Sequence, residues 1–243
     1  DEGIQTHPQG AGNFTGKESF EENPDIQGMT SLPLTIPSQP HSPGGPWYAL
    51  IPAAGHSRRM GTSKLLLPYR QTTVIGHVLS VLKRPEISAV GVVCRPADLP
   101  LQQEVQRSGG LPLIPPDDPP EMRESLEFGL QSLQNRFAPP ADAGWLLVPA
   151  DHPLLDSAIL DELWQVWQQA TPRILVPTYA GRRGHPTLFR WELNSLVARI
   201  PPGKGFNWLL RESGIPVTEY PASSPDILSD LDTPEDYQRL QNS

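Results

Sequence analysis

The chain predicts an α/β domain on a mostly parallel sheet, and three observations carry that prediction. From Trp47 onward, short apolar runs alternate with amphipathic stretches, the pattern of β-α units. Each apolar run is bounded by Gly, Pro or polar residues, as suits strands covered on both faces. With 243 residues, 37% hydrophobic and 19% charged, the chain can form one domain with a real core and needs no second.

The elements follow in order. Residues 1–46 are rich in Gly, Pro, Gln, Ser and Asn and end in Ser-Pro-Gly-Gly-Pro. Such a segment buries too little apolar surface to offset its ordering entropy, so it reads as a disordered extension ahead of a domain over 47–243. Strands are expected at 48–52, 90–94, 111–114, 145–149 and 174–177. Helices are expected between and after them, at 74–83, 99–108, 121–135, 157–170 and 206–213. A last helix starts at Pro234, where Thr233 can cap, proline suits the first helical position and Asp236 completes a capping-box-like pattern. The 30 prolines, many at strand ends and helix starts, predict stiff loops.

Composition narrows the functional classes. The formal charge is −8, of which Asp1, Glu2, Glu18, Glu21, Glu22 and Asp25 set against Lys17 contribute −5 before residue 47. The remainder is nearly neutral, which argues against broad binding to nucleic acid or an anionic membrane; any anion site must be local. The single cysteine, Cys94, lies in an apolar run and reads as a buried strand residue. No run of about 18 apolar residues and no secretory pattern is visible, so a cytoplasmic protein is expected.

The most informative stretch is Pro52-Ala-Ala-Gly-His-Ser-Arg-Arg-Met-Gly-Thr-Ser-Lys64, directly after the first strand. Two glycines and three cations on the carboxyl-end loop of a strand suit phosphate binding through backbone N–H groups and fixed charge. The spacing is not G-x-G-x-x-G, and Lys64 stands three residues after Gly61 rather than immediately after it, which excludes the P-loop. A tight turn with solvated cations is the bland alternative.

Extended through Leu65-Leu-Leu-Pro68, this string resembles the signature of MobA-like nucleotidyltransferases, closest to the molybdenum cofactor cytidylyltransferases. The resemblance runs from Tyr48 to about Leu240. It implies a single Rossmann-like, three-layer domain of the nucleotide-diphospho-sugar transferase type. It also implies a loop that wraps a nucleoside triphosphate, through Pro52, Ala53, Ala54, Gly55, Ser57, Arg58, Met60, Gly61 and Lys64, with Arg58 and Lys64 on phosphates. The Ala53-Ala54-Gly55 version is associated with CTP. Around Arg123-Glu-Ser-Leu-Glu-Phe-Gly129 the chain resembles the family's Ser-Leu-x-x-Gly segment near the base, which makes Ser125 a nucleotide contact.

Chemistry on a triphosphate needs a divalent cation, normally Mg²⁺, held by one or two carboxylates. Asp151, in Pro149-Ala-Asp-His-Pro-Leu-Leu155, ends a strand at the same edge as the loop. The segment looks like the family's Asp-x-Pro-Leu motif with its metal-binding aspartate. Asp232, in Asp-Leu-Asp-Thr-Pro-Glu-Asp236, matches the family's second metal-side aspartate, while its neighbours also read as a helix cap. Asp230, Glu235 and Asp236 read as structural or solvated.

Gly181-Arg-Arg-Gly-His-Pro-Thr-Leu-Phe189 resembles the family's Gly-His-Pro segment beside the acceptor, which singles out His185, Pro186 and Arg182. Arg182 and Arg183 could equally meet an acceptor phosphate or solvent. Where relatives commonly carry Gly-Asp-x-Gly-Ala-Arg, this chain has Gly203-Lys-Gly-Phe-Asn207, which puts the acceptor more in doubt than the nucleotide chemistry. The leading expectation is transfer of CMP from CTP to a phosphate-bearing acceptor, molybdopterin being favoured, with Lys64, Arg58 and Asp151 catalytic. A molybdoenzyme or its chaperone is the implied protein partner. A sugar-phosphate or other small-phosphate nucleotidyltransferase, and a non-catalytic nucleotide-binding module, are the alternatives.

Overall fold

The computed structural model describes residues 44–55 and 64–241. The extension expected over 1–46 lies almost wholly outside the described residues.

Among the described residues the chain forms ten strands and six α-helices. The strands are β1 (Trp47–Pro52), β2 (Pro68–Tyr69), β3 (Thr72–Thr73), β4 (Ile87–Val93), β5 (Leu111–Leu113), β6 (Gly144–Leu147), β7 (Ile174–Tyr179), β8 (Arg182–Arg183), β9 (Thr187–Arg190) and β10 (Val217–Pro221). The helices are α1 (Val74–Val81), α2 (Leu99–Arg107), α3 (Met122–Phe137), α4 (Ser157–Ala170), α5 (Asn207–Arg211) and α6 (Pro234–Gln241). The main sheet runs β10-β7-β9-β6-β1-β4-β5, with β8 hairpinned onto β7. The β1–β4, β1–β6, β4–β5 and β7–β10 pairs are parallel, and β9 is antiparallel to both β6 and β7.

β1 shows why three layers form. Every residue from Trp47 to Ile51 is buried, and alternate side chains face opposite layers. Trp47, Ala49 and Ile51 pack with residues of α1, α2 and α4. Tyr48 and Leu50 pack with α3, α5 and the 3₁₀ segment Trp191–Arg199. Each fully buried aliphatic side chain of this strand is worth roughly 1.5–3 kcal/mol. α3 lies so close to the strand that a Cβ on Gly129 would stand 2.4 Å from Leu50 Cδ1.

Several ends differ from expectation. β4 begins three residues earlier than the sequence indicates, because its first half is only partly buried and lacks a continuous apolar run. β8, β9, β10 and the β2–β3 hairpin were not expected as strands at all, while the helix expected at 206–213 shortens to α5. Cys94 is fully buried just after β4, and burial pushes its thiol up to about 12. Among the described residues no helix is long and apolar enough to cross a membrane.

Candidate active site at the carboxyl edge of the sheet

The topology brings four chain segments to one edge. β1 and β6 are parallel neighbours, so the loops that leave them, after Pro52 and Leu147, emerge together. β9 runs the other way and starts beside the end of β6, with Thr187 opposite Leu147. The Gly184–His185–Pro186 segment that precedes it is thereby delivered to the same edge. β10 ends opposite Thr178 of β7, and the chain then runs back along this edge through the 3₁₀ turn Pro225–Leu228 to residue 232.

Backbone hydrogen bonds lace these segments together. Leu231 N donates to Asp151 O at 2.9 Å, and His185 N donates to Ile227 O at 2.9 Å. The second contact needs a glycine before it, since a Cβ on Gly184 would fall 2.4 Å from Ile227 O. Residue 232 is further fixed by the cap of α6. Asp236 Oδ2 accepts from Asp232 N at 3.1 Å and Thr233 N at 2.8 Å, while Thr233 Oγ1 accepts from Asp236 N at 3.2 Å. This is a capping box with aspartate in the return position, as the sequence pattern indicates.

Lys64, Asp151 and Asp232 meet. Lys64, at the start of a 3₁₀ turn, donates from Nζ to Asp151 Oδ2 at 2.5 Å, to the Leu231 carbonyl at 2.8 Å and to Asp232 Oδ1 at 3.0 Å. Burial of the ammonium opposes its charge, but the bonds and charges of Asp151 and then Asp232 outweigh this and raise the Lys64 pKa. The sequence reading sends Lys64 to phosphates and the aspartates to a metal; in the structure they face one another directly. The three oxygens around the ammonium, two of them carboxylate, are a hard donor set with the charge and ligand type that suit Mg²⁺ or Mn²⁺. Among the described residues no group of three or more His, Cys, Asp or Glu side chains is gathered for a metal. Two carboxylates are nevertheless the usual protein share of a Mg²⁺ completed by phosphate and water.

The remaining candidates divide. Ala53 and Ala54 are buried, with Ala53 N donating to Val93 O at 2.9 Å, and Pro52 is half-buried. Gly55 is exposed, with nothing within 4 Å of where a Cβ would lie. Ser57, Arg58, Met60 and Gly61 lie outside the described residues. Ser125 is buried in the first turn of α3, beside Leu126, which shares a packed cluster with Ala54. Pro186 is buried. Arg182 is exposed on β8, and Arg183 is engaged with Glu219 at 2.8 Å and the Leu210 carbonyl at 3.1 Å. Lys204, the departure from the family pattern, pairs locally with Glu212 at 3.2 Å.

One group escaped the sequence reading. His152 is 1% exposed, and its Nδ1 lies 3.3 Å from Asp230 Oδ1. His185 meets its ring edge-on at 6.0 Å between centroids. Burial, then the neighbouring His152, lowers the His185 pKa to about 4 against the pull of Asp230 and Asp151, so its imidazole stays neutral near pH 7. The available signal was a histidine between Asp151 and Pro153 followed by two leucines, a context that favours a buried ring.

The profile of the MobA-like NTP transferase domain matches residues 49–216. The chain belongs to that family. It is similar to Rv0371c from Mycobacterium tuberculosis H37Rv, with 26% identity and a TM-score of 0.68 over 84% of this chain and all of that one. A structure of Rv0371c in complex with manganese aligns at 27% identity and a TM-score of 0.66, covering 82% of this chain and 99% of that one. CMP:2-keto-3-deoxy-manno-octonic acid synthetase complexed with CTP shares the fold, at 15% identity and a TM-score of 0.63, with 82% and 98% covered. A curated relative, 2-C-methyl-D-erythritol 4-phosphate cytidylyltransferase of Syntrophotalea carbinolica, is 44% identical over 57 residues, or 22% of this chain. The match spans only 24% of that relative's length. The fold is the α/β type of these nucleotidyltransferases, and the family match places the chain among NTP transferases.

Proposed function

We propose that this protein transfers a nucleoside monophosphate, CMP from CTP, to a phosphate-bearing acceptor and releases pyrophosphate. The observation that carries the reading is the convergence of Lys64, Asp151 and Asp232 on one point at the carboxyl edge, beside the loop that follows β1. An acceptor phosphate oxygen attacks the α-phosphorus of CTP, a new P–O bond forms, and the bond from the α-phosphorus to the bridging oxygen of pyrophosphate breaks in line. The attacking oxygen is already ionised at neutral pH, so no protein nucleophile is required. The chain's contribution is positioning and charge compensation.

In this reading Asp151 and Asp232 hold Mg²⁺, and the manganese complex of Rv0371c supports a divalent ion in the family. Such an ion supplies Lewis-acid neutralisation of phosphate oxygens. Lys64 and Arg58 offset the triphosphate charge, Pro52, Ala53, Ala54, Gly55, Ser57, Met60 and Gly61 wrap it, and Ser125 lies toward the base. His185, as a neutral imidazole, and Pro186 border the acceptor, with Arg182 at the rim. Molybdopterin is the favoured acceptor, with a molybdoenzyme or its chaperone receiving the product in the cytoplasm. The 57-residue match to a cytidylyltransferase supports CTP and also keeps a second reading, a small phosphorylated alcohol as acceptor.

Pyrophosphate release measured with each of the four NTPs and Mg²⁺, across molybdopterin, 2-C-methyl-D-erythritol 4-phosphate and sugar phosphates, tests both. Turnover with CTP and molybdopterin is expected. CTP binding with no turnover on any acceptor would leave a non-catalytic module and sink the enzyme reading.

A further inference from the structure

We infer that His152 is a positioning residue for the metal-side carboxylates: through Asp230 it holds residues 230–232 in the register that presents the Leu231 carbonyl and Asp232 to Asp151. This rests on the transferase reading above and adds a residue to it.

His152 follows Asp151 directly in the chain, yet its surroundings are different. Its ring is almost wholly buried, with Nδ1 3.3 Å from Asp230 Oδ1. A ring nitrogen that faces a carboxylate carries a proton and donates it, so Nδ1 is the donor to Asp230. The other ring nitrogen, Nε2, is buried and has no hydrogen-bond partner among the described residues. With the ring this enclosed, its polar contact with Asp230 is the one through which it acts on the returning chain.

Three consecutive residues then become fixed. Asp230 is held by His152; Leu231 donates its N–H to the Asp151 carbonyl at 2.9 Å and offers its own carbonyl to Lys64 at 2.8 Å. Asp232 gives Oδ1 to Lys64 at 3.0 Å while its N–H is taken by Asp236 at 3.1 Å. The Asp151–His152 dipeptide thus grips the returning chain at two adjacent points, one through backbone and one through side chain. Without the imidazole, Asp230, whose side chain is 53% exposed, turns readily to water. The segment then keeps the Leu231–Asp151 backbone bond, the buried Leu231 side chain, the Lys64 contacts and the α6 cap, but loses its anchor at Asp230. Partners of this outer kind orient metal ligands, and their loss typically costs about 10–100-fold in metal affinity.

The test is Mn²⁺ binding to the full chain, followed by electron paramagnetic resonance, in wild type, His152→Ala, Asp230→Ala and His152→Asn, with thermal unfolding and steady-state kinetics alongside. His152→Ala and Asp230→Ala should each weaken Mn²⁺ binding about tenfold or more and raise the Mg²⁺ concentration needed for half-maximal rate. His152→Asn, whose amide can donate from near the Nδ1 position, should recover most of the affinity. Asp230 is half-exposed, so its alanine variant remains informative even if His152→Ala does not fold. Mn²⁺ affinity unchanged in Asp230→Ala, or in a folded His152→Ala whose melting point alone has dropped, overturns the inference and leaves His152 as core filling. So does an asparagine variant no better than alanine. Wild type that binds Mn²⁺ but turns over no NTP with any acceptor overturns the transferase reading instead, independently of how the variants bind.

Discussion

Two ionic clusters in this molecule use similar chemistry and differ in how the chain builds them. Glu104 on α2 accepts from Thr73 Oγ1 at 2.7 Å, from Arg107 Nε at 3.0 Å and from Arg107 Nη2 at 2.7 Å. Its partner Arg107 stands one helical turn away, and Thr73 is the residue that caps α1. Lys64, Asp151 and Asp232 instead come from three loops, with Lys64 and Asp232 168 positions apart. The Glu104 cluster is satisfied within neighbouring elements and ties two helices together. The Lys64 cluster is assembled by the whole topology, lies at an open edge, and crowds two carboxylates around one ammonium. The lesson is that local clusters serve stability, whereas a cluster recruited from distant loops at a strand edge is the place to look for chemistry.

Substitutions should pull the two apart. Asp151→Asn is expected to lower turnover about a thousandfold or more while the melting temperature stays near that of wild type, since its partners are partly solvated. An active Asp151→Asn enzyme would show that the metal ligand has been misassigned. Lys64→Ala should cost about a hundredfold in kcat/KM, measured as pyrophosphate release, because a fixed positive charge is lost beside the triphosphate. Acidification provides the next contrast. His185 is protonated in the unfolded chain below its ordinary range but stays neutral in the fold to about pH 4. Stability should therefore fall as pH drops from roughly 6.5 toward 4, by about 2–3 kcal/mol, and His185→Gln should flatten that slope in denaturant titrations. The smallest effect belongs to the helix cluster: Glu104→Gln should cost about 1–2 kcal/mol and leave kcat/KM unchanged. A loss of activity there would break the division between the two clusters.

Sequence periodicity reached the central layers well. The helix expected at 157–170 is α4 without a residue's difference, and the capping pattern at Thr233–Asp236 is present atom for atom. β1 and β6 were legible because both are buried on two faces and read as continuous apolar runs. Beyond β6 the apolar run at 174–177 marked β7, but the strands around it left no such signal. β10 is an edge strand whose residues are largely half-exposed or exposed, so Val217–Pro221 shows neither a run nor an alternation. β9 has only four residues and directly follows the Gly-His-Pro segment, whose resemblance to an acceptor site drew attention from the strand. At the site, Lys64, Asp151 and Asp232 were legible as motifs, and the parallel order of strands explains why they share an edge. His152 and Asp230 were hidden because a contact across 78 positions leaves no local spacing to read.

The bond from Leu231 N to the Asp151 carbonyl also orders events in time. During synthesis β1 and the strands around it can pack before residue 231 has been made, because their contacts are nearer in sequence. A growing chain would thus carry Lys64 and Asp151 from residue 151 until residue 232 is made, without Asp232 beside them. The carboxylate pair comes into being only when the stretch around residue 232 folds back across the edge.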